Sequence, residues 1–192
     1  RFFFNAYRGI GMNLIQTKKI TAGISTRYNF GGRDERSSRF SGLDDINDQF
    51  QSGAFINYKL GLLSFGLSAY RAIGVLQGAG FYQPNIGLFL PFSRKYLMRV
   101  SISGRFDDKN YMEGIFGVDE DEAKKSGLPE YLPRSGWQSV SYSIMPIIKL
   151  NKDWSFTFIL SAKQFIDQAA KSPLIDNKTT YFSALSLSYR FN

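Results

Sequence analysis

The sequence predicts an all-β protein, an antiparallel up-and-down transmembrane β-barrel that forms one domain over residues 1–192. Three observations predict this fold. Apolar and polar residues alternate with a period of two, as in a β-strand with two different faces. The alternating segments run to about ten residues, the length that crosses a bilayer at a tilt, whereas strands average about five or six residues in soluble domains. Long and short connections alternate between these segments, as they do in outer-membrane barrels.

The composition is consistent with this fold class and excludes several other classes of protein and site. The chain has 192 residues with 18 Phe and 11 Tyr, no cysteine, no histidine and a net charge of +8. Without cysteine and histidine, neither disulfides nor thiolate metal sites nor a Ser-His-Asp triad can be built. No apolar run is long enough for a transmembrane helix, and no N-terminal segment has the form of a signal peptide. We therefore predict that the protein is not an enzyme, with no catalytic residues, no metal site and no cofactor.

The predicted strands follow one another along the whole chain. The clearest is 180–192, where Leu185 and Leu187 share one face and Ser186 lies on the other. The same period recurs in eight further segments, at roughly 2–15, 20–30, 48–58, 63–74, 79–92, 96–118, 140–150 and 155–166. No helix longer than a turn or two is predicted. In a membrane barrel the apolar faces look outward into lipid and the hydrophilic faces look inward.

The connections sort by length. Reading back from the C-terminus, they are 167–179, 151–154, 119–136, 93–95, 75–78, 59–62, 31–47 and 16–19. Long and short segments alternate, and only 75–78 fails to be long. Outer-membrane barrels have short periplasmic turns and longer extracellular loops, so we predict that the long connections face outside the cell. Aromatic residues beside the short turns fit an interfacial girdle; they are Tyr58, Phe92, Tyr96, Trp154, Tyr189 and Phe191.

The strand count predicts that part of the barrel is missing. Counting from the C-terminus gives nine strands, whereas single-chain bacterial barrels have an even number. A tight turn at Arg8-Gly9 would split 2–15 into a hairpin and raise the count to ten. In both cases we expect one or more N-terminal strands to be absent from this sequence, and about ten to twelve strands in the full protein.

The candidate functional site is a set of basic residues on the inward faces. They are Arg27, Arg99, Arg105, Lys149, Lys163 and Arg190. Asp107 is the only obvious acid near them. Because an unpaired buried charge is costly, two explanations stay open. The lumen attracts anions, or acids on N-terminal strands outside this sequence pair with the basic groups.

Two further motifs have residue types that are found in binding sites. The acidic run 119–122 lacks the alternating ligands and turn glycine of an EF-hand loop, and is interpreted as a solvated loop or a divalent-bridged contact with lipopolysaccharide phosphates. The glycines at 31–32 precede no Lys-Ser/Thr pair and no helix, so no phosphate-binding loop is predicted. The last strand carries Tyr189 and Phe191 and then one extra residue, Asn192. Barrel-assembly machinery reads an amphipathic last strand that closes with an aromatic residue, so Tyr189 and Phe191 are predicted to be an assembly signal.

A family resemblance rests on short stretches between residues 28 and 191. They are Tyr28 with Gly32-Arg33, Leu43-Asp44-Asp45-Ile46, Asp107-Asp108-Lys109-Asn110-Tyr111-Met112 before Phe116-Gly117-Val118, Ala123 with Ser126-Gly127-Leu128, Tyr131 and Gly136, and Asp167 with Ser172-Pro173-Leu174 before Tyr189-Arg190-Phe191. Together they resemble the MipA/OmpV family, the MltA-interacting proteins of Gram-negative outer membranes. The resemblance implies a non-enzymatic scaffold that holds a lytic murein transglycosylase near a murein synthase. It carries over no binding residue.

Three functions therefore stand side by side. The first is an outer-membrane scaffold, with lipid, lipopolysaccharide, the assembly machinery and a murein enzyme or another envelope protein as partners. The second is a small diffusion pore with a basic lumen, narrowed by the inward residues Phe55, Tyr70, Phe89 and Phe165. The third is a soluble basic β-protein that binds nucleic acid, which the sorting of the connections disfavours, so no nucleic acid is expected as a partner.

Overall fold

Ten β-strands make up most of this computed structural model, which describes residues 2–5, 9–29, 41–44, 49–74, 76 and 78–189. The strands are β1 (Phe2–Asn5), β2 (Gly9–Gln16), β3 (Ile20–Asn29), β4 (Gln49–Leu60), β5 (Leu63–Ile73), β6 (Gly80–Pro91), β7 (Tyr96–Asp107), β8 (Gly136–Lys149), β9 (Trp154–Phe165) and β10 (Thr179–Tyr189). Each pairs antiparallel with the next, in the order β1 to β10. The prediction of an all-β, antiparallel, up-and-down fold is confirmed. Within the described residues the sheet is not closed, because β1 and β10 stand at opposite ends of that order.

The sheet is strongly curved. The Arg27 guanidinium carbon of β3 lies 5.0 Å from the centre of the Phe81 ring of β6, although three strand spacings of a flat sheet would separate the backbones by about 14 Å. Ser25 of β3 and Tyr70 of β5 share a hydrogen bond of 2.7 Å. Side chains of non-adjacent strands therefore converge on one concave side, which we call the inner face.

The opposite, outer face is apolar and exposed. Ile24, Ile144, Leu185 and Leu187 expose 49%, 45%, 62% and 57% of their surfaces. Four of the aromatic residues beside the short turns are exposed as well; they are Tyr58, Phe92, Tyr96 and Trp154. The predicted orientation, apolar side chains outward, is confirmed, whereas a soluble barrel would enclose these residues in a dry centre.

Connection lengths alternate as predicted. Four short turns, at 17–19, 61–62, 92–95 and 150–153, lie at one end of the sheet, which we call the short-turn end. The opposite, loop end carries the long connections 108–135 and 166–178 and the shorter 74–79. The two ends are distinct because successive antiparallel strands reverse direction at each connection.

Two predicted strands differ from the structure. Residues 2–15 form the β1–β2 hairpin, so the alternative with a turn near Arg8-Gly9 was right, although the turn itself lies outside the described residues. The strand predicted over 96–118 ends at Asp107, and α1 (Lys109–Phe116) follows it. The prediction was wrong there because Asp108 caps the helix, its carboxylate accepting a hydrogen bond from the Tyr111 N–H at 2.9 Å.

Two more helical elements follow α1, namely α2 (Glu120–Ser126) and a single 3₁₀ turn (Ala169–Lys171). The Asp119 carboxylate accepts a hydrogen bond from the Glu122 N–H, and the Glu122 carboxylate accepts one from the Asp119 N–H, which makes a capping box at the start of α2. The interpretation of 119–122 as a solvated loop was therefore wrong for Asp119 and Glu122. No helix in the described ranges is long and apolar enough to cross a membrane.

Candidate functional site

The inner face separates the predicted basic residues into two groups. Arg27, Arg105 and Lys163 lie in the loop half of the sheet, near α1. Arg99 and Lys149 lie on the strand halves that lead to the short turns. Arg190 and Phe191 lie outside the described residues, as does the side chain of Tyr189. The structure therefore brings three of the six predicted residues together.

The loop-half group is built on aromatic rings. Arg105 places its guanidinium carbon 3.9 Å from the centre of the Phe81 ring and 4.5 Å from that of Tyr111. The Arg27 guanidinium carbon lies 4.6 Å from the Tyr70 ring centre and 5.0 Å from that of Phe81. A guanidinium over an aromatic face is attracted by the ring quadrupole, more strongly where water is excluded. The rings therefore hold two positive charges close together.

Asp107 neutralises one of these charges. Its Oδ1 accepts a hydrogen bond from Arg105 Nε at 2.7 Å, and its side chain is fully buried. Arg105 Nη2 and Asp107 Oδ2 have no hydrogen-bond partner among the residues that the structure describes. Since buried polar atoms in proteins are normally satisfied by protein or ordered water, these two atoms are suited to bind water in the lumen.

Helix α1 is joined to this group and lies against the inner face. The Tyr111 hydroxyl accepts a hydrogen bond from Gln51 Nε2 at 2.9 Å, and Gln51 Oε1 accepts one from Arg27 Nε at 2.9 Å. Met112 and Phe116 are buried, and the Phe116 ring packs edge-on against Phe165 of β9 at 5.7 Å. The helix thus spans from β4 to β9 across the loop end.

The remaining loop segments pack on top of α1. Leu43, Val118 and Leu174 form a second apolar cluster. The Tyr131 hydroxyl donates to the carbonyl of Gln168 at 2.7 Å, and burial together with the nearby Asp167 carboxylate raises the pKa of Tyr131. We call α1, α2 and residues 166–178 the plug, because they fill the loop end of the inner face.

The short-turn half is more open and more polar. Arg99 donates to Asn85 Oδ1 at 3.2 Å and to Ser101 Oγ at 3.1 Å. Its guanidinium carbon lies 5.6 Å from the Phe89 ring centre, and Lys59 Nζ lies 5.4 Å from the same ring. In contrast to the buried Gln51 of the loop half, Arg99, Asn85 and Ser101 remain partly exposed.

Sequence reasoning missed Lys59, Gln51 and Tyr111 as members of the site. Lys59 follows the inward positions of β4 at a spacing of two, so the alternation itself could have found it. Gln51 lies on the same inward face and bonds Arg27 of the neighbouring strand, so the alternation could have found it as well. Tyr111 belongs to the site only because α1 folds onto β4, which no local sequence pattern predicts. The bulky residues Phe55 and Tyr70, predicted to narrow the lumen, are buried on the inner face.

Comparison with known proteins adds one finding. A family model described as MltA-interacting protein MipA matches residues 1–191, almost the whole chain. No curated protein and no solved structure gives a significant match.

Proposed function

The chain belongs to the MltA-interacting protein MipA family, and on that premise we propose that it is an outer-membrane β-barrel without enzymatic activity that serves as a scaffold for murein enzymes. Its partner is a murein transglycosylase of the MltA type, held near a murein synthase. The single observation that carries this proposal is the family match over residues 1–191.

The outer face supports the membrane part of the proposal. Large apolar side chains are exposed along every strand from β3 to β10, and among them are Ile24, Phe65, Ile86 and Leu187. Soluble monomers rarely expose a continuous apolar surface of this extent. In a bilayer the apolar face contacts lipid hydrocarbon instead of water, so its exposure is no longer unfavourable. The backbone groups of paired strands are hydrogen-bonded to each other and need no water.

The plug favours a scaffold function and argues against an open channel. Met112 and Phe116 lie buried on α1, and the stacked rings of Tyr70 and Phe81 fill the inner face beneath it. A free diffusion path would have to pass through these packed side chains. With the loop half filled by packed side chains, the short turns and the outer face are the surfaces that another protein can reach from the periplasm and from the membrane.

Crosslinking in intact cell envelopes tests the scaffold. A photo-reactive amino acid at the turn position Lys152 should yield an adduct that contains a murein transglycosylase. The same group at Leu132, an exposed residue of the loop end, is the matched control and should yield none. Recovery of no cell-wall enzyme from either position would contradict the scaffold.

A small anion-selective pore is the second candidate, favoured by the positive inner face of Arg27, Arg99, Arg105 and Lys163. Conductance across planar bilayers separates the two functions. A scaffold closed by its plug should be electrically silent, whereas a pore should show steady channels that prefer anions.

The proposed route to the membrane uses the end of the chain. Tyr189 and Phe191 are the aromatic residues that the barrel-assembly machinery would read. Replacing Phe191 with Ser should lower the amount of folded protein in outer-membrane fractions, measured by heat-modifiable migration in gels. Lipopolysaccharide is the proposed neighbour of Glu120 and Asp121, the two acids of the run 119–122 outside the capping box, through divalent cations.

A further inference from the structure

The short-turn end is strongly basic. Seven Lys and Arg residues lie in the four turns or at the strand ends that lead into them, with Asp153 as the one acid of the same segments. They are Lys18, Lys19, Lys59, Arg94, Lys95, Lys149 and Lys152, and we call them the basic rim. The described loop-end segments 41–44, 108–135 and 166–178 hold ten acids and six Lys or Arg residues. Among the described turns and loops, the net positive charge therefore lies at the short-turn end.

Three of the four turns present these charges in the same way. Thr17, Ser93 and Asn151 each lie in one of these turns, and each side-chain oxygen accepts hydrogen bonds from the backbone N–H groups two and three residues ahead. The donor–acceptor distances range from 2.8 to 3.3 Å. Such side-chain bonds fix a tight turn. The residue that follows directly is Lys18, Arg94 or Lys152, so each turn projects a cation from a fixed backbone.

The basic rim continues into the mouth of the inner face. Alternation along β4 and β8 places Lys59 and Lys149 on that face, and Lys59 approaches the same Phe89 ring as Arg99. Within the described ranges no residue of the basic rim forms an ion pair. Like charges held this close raise the electrostatic potential of a concave mouth and attract an anionic group into it.

We propose that the basic rim binds an acidic segment of a periplasmic protein, which seats against the turns and enters the mouth of the inner face. The proposal rests on the proposed function, because the scaffold assignment puts the short turns in the periplasm. Charge complementarity names the chemistry of the partner: a run of Asp and Glu side chains meets the basic rim.

Two features favour a protein over lipid headgroups. Lys59 and Lys149 lie on the inner face, whereas the lipid around a barrel contacts the outer face. In addition, each turn is far too small for a specific interface, which usually takes about 800 Å² from each partner. A segment that crosses several turns and enters the mouth gathers that area from the rim as a whole.

The test compares two variants of equal charge change. The rim variant K18E/R94E/K152E reverses one charge in each of three turns. The control K109E/K124E/K171E reverses three exposed lysines of the loop end, where Lys109 and Lys124 are each 66% exposed. Both proteins are placed in nanodiscs of zwitterionic lipid, and heat-modifiable migration verifies folding. The probes are a purified MltA-type transglycosylase and a fluorescein-labelled oligoglutamate peptide.

We expect the rim variant to bind both probes about 10- to 100-fold more weakly than the wild type at low salt, and the control to bind them like the wild type. The difference should shrink as ionic strength rises from about 0.05 M to about 0.5 M, because the screening length then falls. The conservative variant K18R/R94K/K152R should retain wild-type affinity.

The outcomes separate the two proposals. If the transglycosylase binds the wild type and the rim variant equally well, the basic rim is overturned and the scaffold stands. If it does not bind the wild type while oligoglutamate binding is lost in the rim variant, the scaffold fails and the basic rim stands. If neither probe binds the wild type, both proposals fail. If reversal changes only the amount of co-purified anionic phospholipid, headgroups are the ligand and the proposal is overturned.

Discussion

Replacing Asp107 with Ala should destabilise the protein more than any other single inner-face substitution that we consider. The Arg105–Asp107 pair is separated by 2.7 Å, with Asp107 fully buried and the Arg105 side chain 17% exposed. At an effective dielectric constant of about 20 this separation corresponds to an attraction of about 6 kcal/mol, most of which is offset by desolvation of the two charges. Removal of the carboxylate leaves the desolvation cost of Arg105 without its compensation. The expected loss is about 3–5 kcal/mol in the free energy of unfolding.

Reversible urea unfolding in lipid vesicles measures this loss. The fluorescence of Trp137 is a local probe, because Trp137 pairs with Phe106 across β7 and β8, next to the ion pair. The matched control is the double variant R105M/D107A, which removes both charges. It should be more stable than D107A alone, since no buried cation is left without its acid. A D107A loss below about 1 kcal/mol, or strict additivity of the two substitutions, would refute the reasoning.

Three further predictions concern the plug and the outer face. Tyr111→Phe removes the hydrogen bond from Gln51 and should cost about 1 kcal/mol in unfolding free energy, while Tyr111→Ala should also raise planar-bilayer conductance if ring packing closes the lumen. Asp119→Ala breaks the capping box and should cost about 1 kcal/mol without changing conductance, measured on the same samples. Ile144→Lys puts a charge on the lipid-facing side and should cost about 2–4 kcal/mol in vesicles, whereas the adjacent inward Ser143→Lys should cost much less; equal losses would contradict the assigned orientation.

The uneven charge of the molecule links the fold to its proposed role. The short turns are held by Thr17, Ser93 and Asn151 and carry cations, while the loop end has more acids than bases among its described residues. An acidic partner approaching in the periplasm is therefore drawn to one end of the barrel only. Long-range attraction of this kind speeds encounter and sets orientation, and it weakens as salt increases.

Local sequence pattern predicted the strands because strand structure is a local property. A period of two along 20–30 or 140–150 reports which side chains share a face, whatever strand lies beside them. The same pattern predicted which face is apolar, and the exposed Leu185 and Leu187 agree with it. It misread 108–118, because a capping carboxylate and a short amphipathic helix produce apolar residues at spacings that also fit a strand.

Sequence reasoning could predict only part of the candidate site. Arg27, Arg105 and Lys163 could be placed on the inner face one strand at a time, but the approach of Arg27 and Arg105 to the same Phe81 ring, with Lys163 near Arg105, could not be predicted. Their proximity depends on the curvature of the whole sheet and on the docking of α1, which couple residues far apart in the chain.

The sequence by itself determined the strand faces, the order of short and long connections and the family of this protein, because each of these depends on residues that are close together in the chain. Only the tertiary structure decided that the loop end is plugged, that Asp107 pairs with Arg105, and that cations from three separate turns and two strand ends form one rim. The physical reason is that charges and rings interact through space over a few ångströms, and curvature of the sheet, not position in the chain, brings them to that distance.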